Sequence, residues 1–160
     1  MLNIPEGVIE VNALRPQAGA ALTGDYICLK NINMLFVVVT IYQDTTDTVA
    51  ITIEQATDVS DSLSDSKAIT NVVPIWANED CAASDAFTRQ TDAVNFTTSA
   101  ADNKIKKIIF QIDPALLDAN DDFDCITVKT GASDATNLTE AHYLCDMKFK
   151  QETPPTVITD

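Results

Sequence analysis

The sequence predicts an all-β fold: a jelly-roll-like antiparallel β-sandwich over residues 25–150, flanked by an extended N-terminal arm (1–24) and a C-terminal tail (151–160). Three observations predict it. Apolar residues recur at every second position in several segments, the period of a strand with one wet face. Short breaks rich in Asp, Asn, Thr and Ser separate these segments, and such residues turn the chain by bonding their own backbone. No long segment carries the 3.6-residue period of a helix.

In chain order, residues 25–30 read as a weak first strand. Residues 35–41 are apolar on both faces and rich in Val, which predicts a central strand buried on both sides. Val49, Ile51 and Ile53 alternate with Ala50, Thr52 and Glu54 in the next strand. Residues 69–76 and 94–98 are weaker candidates, and residues 107–112 and 123–129 are stronger ones. In the last strand Tyr143, Cys145, Met147 and Phe149 alternate with His142, Leu144, Asp146 and Lys148. Residues 44–47, 58–66, 78–80 and 131–137 are the turns. One helical turn is expected over 114–119, with Asp113 as N-cap and Pro114 at the first position. The arm holds Pro5, Gly7, Pro16, Gly19 and Gly24 around an apolar patch at 8–14, placed to pair with a neighbour or to wrap the domain. The tail, interrupted by Pro154 and Pro155, cannot extend a central strand and is expected to be loose or docked on a partner.

The length of 160 residues suits one domain. A chain of that size buries roughly 70% of the surface its unfolded form exposes. Hydrophobic residues make up 46% of it, enough for a core without staples. Twenty-four acidic residues stand against ten basic ones, a net charge of −14. Nucleic-acid binding relies on Lys and Arg neutralising phosphates, and Lys104, Lys106 and Lys107 form the one short basic cluster. Neither nucleic acid nor an anionic membrane is therefore an expected partner. The first residues lack a basic segment followed by an apolar one, and the apolar run around 34–41 is far short of the ~20 residues of a membrane helix. Synthesis in the cytoplasm is expected. None of Cys28, Cys81, Cys125 and Cys145 forms a CxxC pair, so reduced thiols are expected, several in the core. Cys125–Cys145, across neighbouring strands, is the best disulfide alternative.

The search for chemistry returns little. His142 is the one histidine and lies on the polar side of its strand, without a nucleophile motif. It reads as a surface residue, and no catalytic residue is assigned. Asp118, Asn120, Asp122 and Asp124 place oxygens at alternate positions, as at the start of a calcium loop. Phe123 then stands where such a loop needs Gly, and Lys129 where it needs the bidentate Glu, so an acidic turn is expected and no metal or cofactor. Trp76 reads as a core or interface anchor. Four glycines supply no phosphate-cradling loop. Asn95-Phe96-Thr97 and Asn137-Leu138-Thr139 match the glycosylation pattern, which has no meaning without a secretory route.

The order of segments resembles a family. Asp25-Tyr26-Ile27-Cys28-Leu29-Lys30-Asn31 leads into the apolar strand. The strand ending in Gln55-Ala56-Thr57-Asp58 is followed by Lys67-Ala68-Ile69-Thr70. Residues 108–113 and Leu116-Leu117-Asp118 precede Phe123-Asp124-Cys125-Ile126-Thr127-Val128, and residues 141–149 close the series. Over residues 25–150 this is similar to small structural proteins of tailed-bacteriophage virions. The turn at 58–65 departs from them in lacking Gly, and residues 76–90 are this chain's own.

The resemblance implies a virion protein on the outer surface of a capsid, decorating or cementing it between major capsid protein subunits, with no catalytic residues. A homo-oligomer, a trimer above all, would match local three-fold positions. The alternatives are a tail or head–tail component, or a carbohydrate- or host-surface-binding module. The last would show an exposed aromatic cluster of Trp76 with Phe87 or Tyr42.

Overall fold

A computed structural model describes residues 4–60 and 65–158. Residues 1–3 of the arm, 159–160 of the tail and 61–64 of the turn at 58–66 lie outside the described residues. The described chain forms β1 (Val8–Ala18), β2 (Leu22–Thr23), β3 (Ile27–Cys28), β4 (Ile32–Gln43), β5 (Ala50–Ala56), β6 (Ser66–Ala68), β7 (Ile75–Asn78), β8 (Thr88–Arg89), β9 (Asn95–Thr97), β10 (Lys104–Ile112), β11 (Cys125–Thr130) and β12 (Leu138–Met147). One sheet runs β1-β12-β4-β10-β7-β8; the other runs β2-β11-β5-β6, with β3 also on β11 and β9 also on β5. The described pairings are antiparallel.

The chain changes sheet repeatedly: β1 in the first, β2 and β3 in the second, β4 back in the first, β5 in the second, then β10, β11 and β12 in turn. This gives four-strand cores β1-β12-β4-β10 and β2/β3-β11-β5-β6, the order of two Greek keys closed into a jelly roll. The period-two pattern explains the packing. Leu35, Val37, Val39 and Ile41 of β4, Ile108, Phe110 and Ile112 of β10, and Ala141, Tyr143 and Cys145 of β12 point inward. They meet Ile51, Ile53, Ile126 and Val128 of the second sheet. No helix of the described residues is long and apolar enough to cross a membrane.

Several expectations change. β4 is central, between β12 and β10, but only one face is fully buried. Met34, Phe36, Val38 and Thr40 on the other face are half-buried. Of the strand expected at 25–30 only Ile27–Cys28 forms, as β3; β2 precedes it at Leu22–Thr23, within the segment expected as arm, and the break between the two has a physical cause. Gly24 passes so close to β11 that a Cβ there would lie 2.9 Å from Val128 Cγ1. Its N–H donates to the Val128 carbonyl at 2.8 Å, and its carbonyl accepts from the Thr127 hydroxyl at 2.7 Å. The turn after Asp113 has the expected cap, Asp113 Oδ1 accepting from the Ala115 N–H at 2.9 Å, but is a 3-10 turn over Pro114–Leu116 that ends at an extended Leu117, short of the expected 114–119.

The arm lies inside the sandwich. Val8–Ala18 pairs along β12, and Ala13 and Leu14 are buried in the core. Register shifts between Asn12 and Leu14 and between Leu14 and Gln17 interrupt the alternation, which hides the strand from a period-two reading. The tail likewise returns to its own domain. Val157 is buried and its carbonyl accepts from the Cys28 N–H at 2.7 Å.

The Cys125–Cys145 alternative is overturned. Cys145 on β12 lies between the sheets, whereas Cys125 on β11 belongs to a small cluster with Tyr26, Cys28 and Ala56 on the opposite face of the second sheet. All four cysteines are thiols. Burial pushes the Cys145 thiol up to about 12.

Candidate functional site

The residues singled out for chemistry are held apart. His142 Nδ1 lies 3.2 Å from Glu10 Oε1 on the outer face of the first sheet, beside Val38 in the ladder. Asp118 belongs to a structural knot: its Oδ2 accepts from Gln55 Nε2 at 2.8 Å and the Thr70 hydroxyl at 2.9 Å, and meets Lys67 Nζ at 2.7 Å. The hydrogen bond from Lys67, then those from Thr70 and Gln55, hold its carboxyl below the usual aspartate value. Asp122 adopts the left-handed conformation that ends the second 3-10 turn, Ala119–Asp121. Phe123 is buried beneath the Lys67 ammonium, 4.4 Å from its ring centre. Asp124 pairs with Lys30 at 3.3 Å. Among the described residues, Asp118 and Asp122 do not join a cluster of metal-ligating groups; Asp124 does, with Cys28 and Cys125.

Asn137 of the second glycosylation pattern is fully buried. Its Oδ1 accepts from the Asp44 and Thr45 N–H groups, and its Nδ2 donates to the Asp47 carbonyl at 2.9 Å. It therefore fixes the β4–β5 turn.

The outer face of the first sheet has a different character. Three exposed apolar side chains lie side by side across three strands: Leu138 of β12 opposite Tyr42 of β4, and Tyr42 opposite Ile105 of β10. They are 45%, 39% and 45% exposed, high for large apolar residues in adjacent ladder positions. With Pro16 and Thr40 they line a depression of about 180 Å³, below the roughly 300–1,000 Å³ of small-molecule pockets. Further along the same face come Val38 with Ile109 and Phe36 with Leu144, all half-buried. The polar row Glu140–Thr40–Lys107 separates these from the Leu138–Tyr42–Ile105 row, and the exposed row is the candidate interaction surface.

Trp76 sits at the far side of this face, opposite Ile109 in the ladder. The Arg89 guanidinium covers its ring at 4.8 Å and is itself paired with Asp92. Along the strands, four residues separate the Ile109 row from the Ile105 row, about 13 Å. Trp76 and Tyr42 therefore do not form one aromatic platform. Edge pairing is also hindered. β1 carries Pro16 and two register shifts, and Pro154–Ile158 lines the same groove as Ile9–Asn12.

Between the sheets at the Tyr42 end lies a buried lysine that the sequence reading assigned to a basic cluster. Lys106 has no exposed surface. Its Nζ donates to the Ser99 carbonyl at 2.6 Å and Gln43 Oε1 at 3.1 Å, and stands 3.5 Å from Glu79. Burial lowers its pKa, and Glu79 partly opposes that shift. The group ties β4 and β10 to the 98–99 segment beneath the exposed face. Ile105 and Lys106 were both legible in principle: extending the period of Ile108, Phe110 and Ile112 backwards puts Lys106 inside and Ile105 outside.

No protein-family model matches the chain, and no curated protein matches it. Among solved structures, the SPBc2 prophage-derived protein YomS aligns with a TM-score of 0.47 and 12% identity, over 91% of this chain and 97% of that one. The Tobacco streak virus coat protein dimer aligns at 0.35 and 13%, over 97% and 95%. A CBM4 structure aligns at 0.32 and 10%, over 81% of this chain and 59% of that one. These are likenesses of β-sandwich shape and assign no function.

Proposed function

We propose that this chain is a structural virion protein that decorates or cements a bacteriophage capsid, seating the outer face of its first sheet on major capsid protein subunits. The exposed apolar row Leu138–Tyr42–Ile105 is the observation that carries the reading. A jelly roll is a rigid support for such a face, and the fold alone does not decide its use. A net charge of −14 favours a basic partner surface over nucleic acid or membrane.

Area decides how the face would work. The part of it spanning β12, β4 and β10 measures about 15 Å across by 34 Å along, or about 500 Å². A stable two-protein interface buries about 800 Å² per partner. One copy therefore binds weakly, and repeated copies in a homo-oligomer, a trimer at local three-fold positions, gain strength through linked contacts. This suits a protein that covers a lattice. It also moves the contact from the N-terminal arm, whose β1 is committed to its own sheet, to the sheet face.

The test is sedimentation of the purified protein with capsid shells stripped of their minor proteins. Saturable co-sedimentation, together with increased resistance of the shells to heat, supports the reading. A protein that stays in the supernatant refutes it; binding to a glycan array instead would move the face to a host-surface role.

A further inference from the structure

Cys28 and Cys125 face each other in register across β3 and β11. The Cys28 N–H points away from β11, to the Val157 carbonyl at 2.7 Å, while the next N–H, that of Leu29, donates to the Asp124 carbonyl at 2.8 Å. The two cysteines are therefore a non-hydrogen-bonded pair of an antiparallel ladder, the register in which Cα atoms approach to about 4.5 Å. Disulfides span about 4.4–6.8 Å between Cα atoms. The two Sγ atoms and a carboxylate oxygen of Asp124 all lie within 4.8 Å of one another. Both thiols sit on the outer face of the second sheet, packed with Tyr26 and Ala56 beneath Val59.

We propose that Cys28 and Cys125 are an oxidation site, closing to a cross-strand disulfide when the protein meets a low-molecular-weight disulfide oxidant. Cys28, 6% exposed, is the thiol the oxidant reaches first; Cys125 is wholly buried. The Cys28 thiolate attacks one sulfur of the oxidant R–S–S–R, forming a mixed disulfide and expelling R–S⁻. The Cys125 thiolate then attacks Cys28 Sγ and expels the second R–S⁻. The Cys125 S–H donates to Asp124 Oδ1 at 3.3 Å, an acceptor through which its proton can leave. The two protons end on the two leaving thiolates, so two protein thiols and one oxidant disulfide become one protein disulfide and two small thiols.

The bond would tie β3, only two residues long, to the interior strand β11. Because the Cys28 N–H also holds Val157, it would fix the anchor of the C-terminal segment as well. The moment of oxidation, release from a reducing cytoplasm into an oxidising medium, rests on the virion reading. The chemistry of the pair does not, and its test needs only the purified protein.

The full-length protein is incubated with oxidised glutathione, its remaining thiols are alkylated after denaturation, and it is digested with trypsin without reductant for mass spectrometry. The four cysteines fall on four separate peptides, 1–30, 68–89, 108–129 and 130–148, the Arg15–Pro16 bond resisting trypsin. Each pairing therefore has its own mass. The expected result is a linked 1–30/108–129 species lighter by two hydrogens than the two free peptides together. The thermal midpoint should also rise by several degrees over the dithiothreitol-reduced protein, with no such redox dependence in Cys28→Ala. Alkylation of all four cysteines, or linkage through Cys81 or Cys145, overturns the proposal. So does protection of Cys28 and Cys125 from alkylation in the native reduced protein only when zinc is added, with no linked peptide; the cluster would then be a metal site.

Discussion

Removing one oxygen atom from the middle of the molecule should destabilise it measurably. Tyr143 stands on β12 in the first sheet and has no exposed surface. Its hydroxyl crosses the sandwich to the gap between β2 and β3, where β11 loses its ladder partner. There it accepts from the Val128 N–H at 3.0 Å and donates to the Asp25 carbonyl at 2.9 Å. Burial raises the phenol well above its ordinary pKa, so it stays a neutral donor throughout.

Tyr143→Phe keeps the ring and its packing but removes both bonds. The Asp25 carbonyl borders a surface depression and can turn to water. The Val128 N–H is buried, and an orphaned buried donor costs about 1–3 kcal/mol. For a chain of this length 1 kcal/mol moves the melting temperature by about 2–4 °C, so the expected fall is about 4–8 °C at the middle of that range. Urea denaturation should show a lower midpoint with an unchanged slope, because the buried apolar area is the same. Tyr42→Phe, on the exposed face, is the control, with a change within about 0.5 kcal/mol. A Tyr143→Phe protein as stable as the wild type would refute the view that this hydroxyl closes the gap in the second sheet.

Two further predictions concern charge. Lys106→Met should leave stability within about 1 kcal/mol of wild type or raise it: the cost of burying a charge is removed, and the partner left behind, Glu79, is not a buried unpaired charge, because its side chain is 31% exposed and still accepts from the Ser99 N–H. The acceptors it leaves keep other donors: Thr98 still donates to Gln43 Oε1, and Gln43 Nε2 to the Ser99 carbonyl; a loss above about 2 kcal/mol in urea denaturation would contradict this. Asp118 has a folded-state pKa below the ordinary aspartate value of 3.8, so its contribution is present above that pH and is lost as pH falls through the folded-state value. Asp118→Asn should therefore flatten the acid limb of the stability profile below pH 3.8, and an unchanged acid limb would show that the Lys67–Asp118–Gln55 knot is not what acid breaks.

The sequence made the fold class legible where its alternation is clean. In β5, β10 and β12 the inward residues fall two apart and are apolar except for Gln55, Lys106 and Thr139, so strand and face follow from one pattern. The pattern fails where the backbone leaves the period. β1 slips register twice around Leu14 and Pro16, and its apolar residues read as a loose patch. β2 and β3 break at Gly24 because of an approach to Val128 that only the folded chain creates.

The candidate surface was half legible. Tyr42 stood out as an aromatic, but Ile105 and Leu138 join it only once β12, β4 and β10 are laid side by side. The Cys28–Cys125 pairing was hidden for the same reason: the two residues are neighbours through the ladder, not through spacing. Lys106 misled because composition puts lysines outside, while the period of its strand puts this one in.

The central claim is that the Leu138–Tyr42–Ile105 face seats the protein on a capsid. The direct measurement is co-sedimentation of Leu138→Glu and Ile105→Glu proteins with stripped shells, beside the wild type and with melting temperatures recorded for each. Both substituted positions are exposed, so stability should change by no more than about 0.5 kcal/mol. The account predicts that the folded variants stay in the supernatant at concentrations where the wild type saturates the shells. Variants that saturate the shells as the wild type does would contradict it.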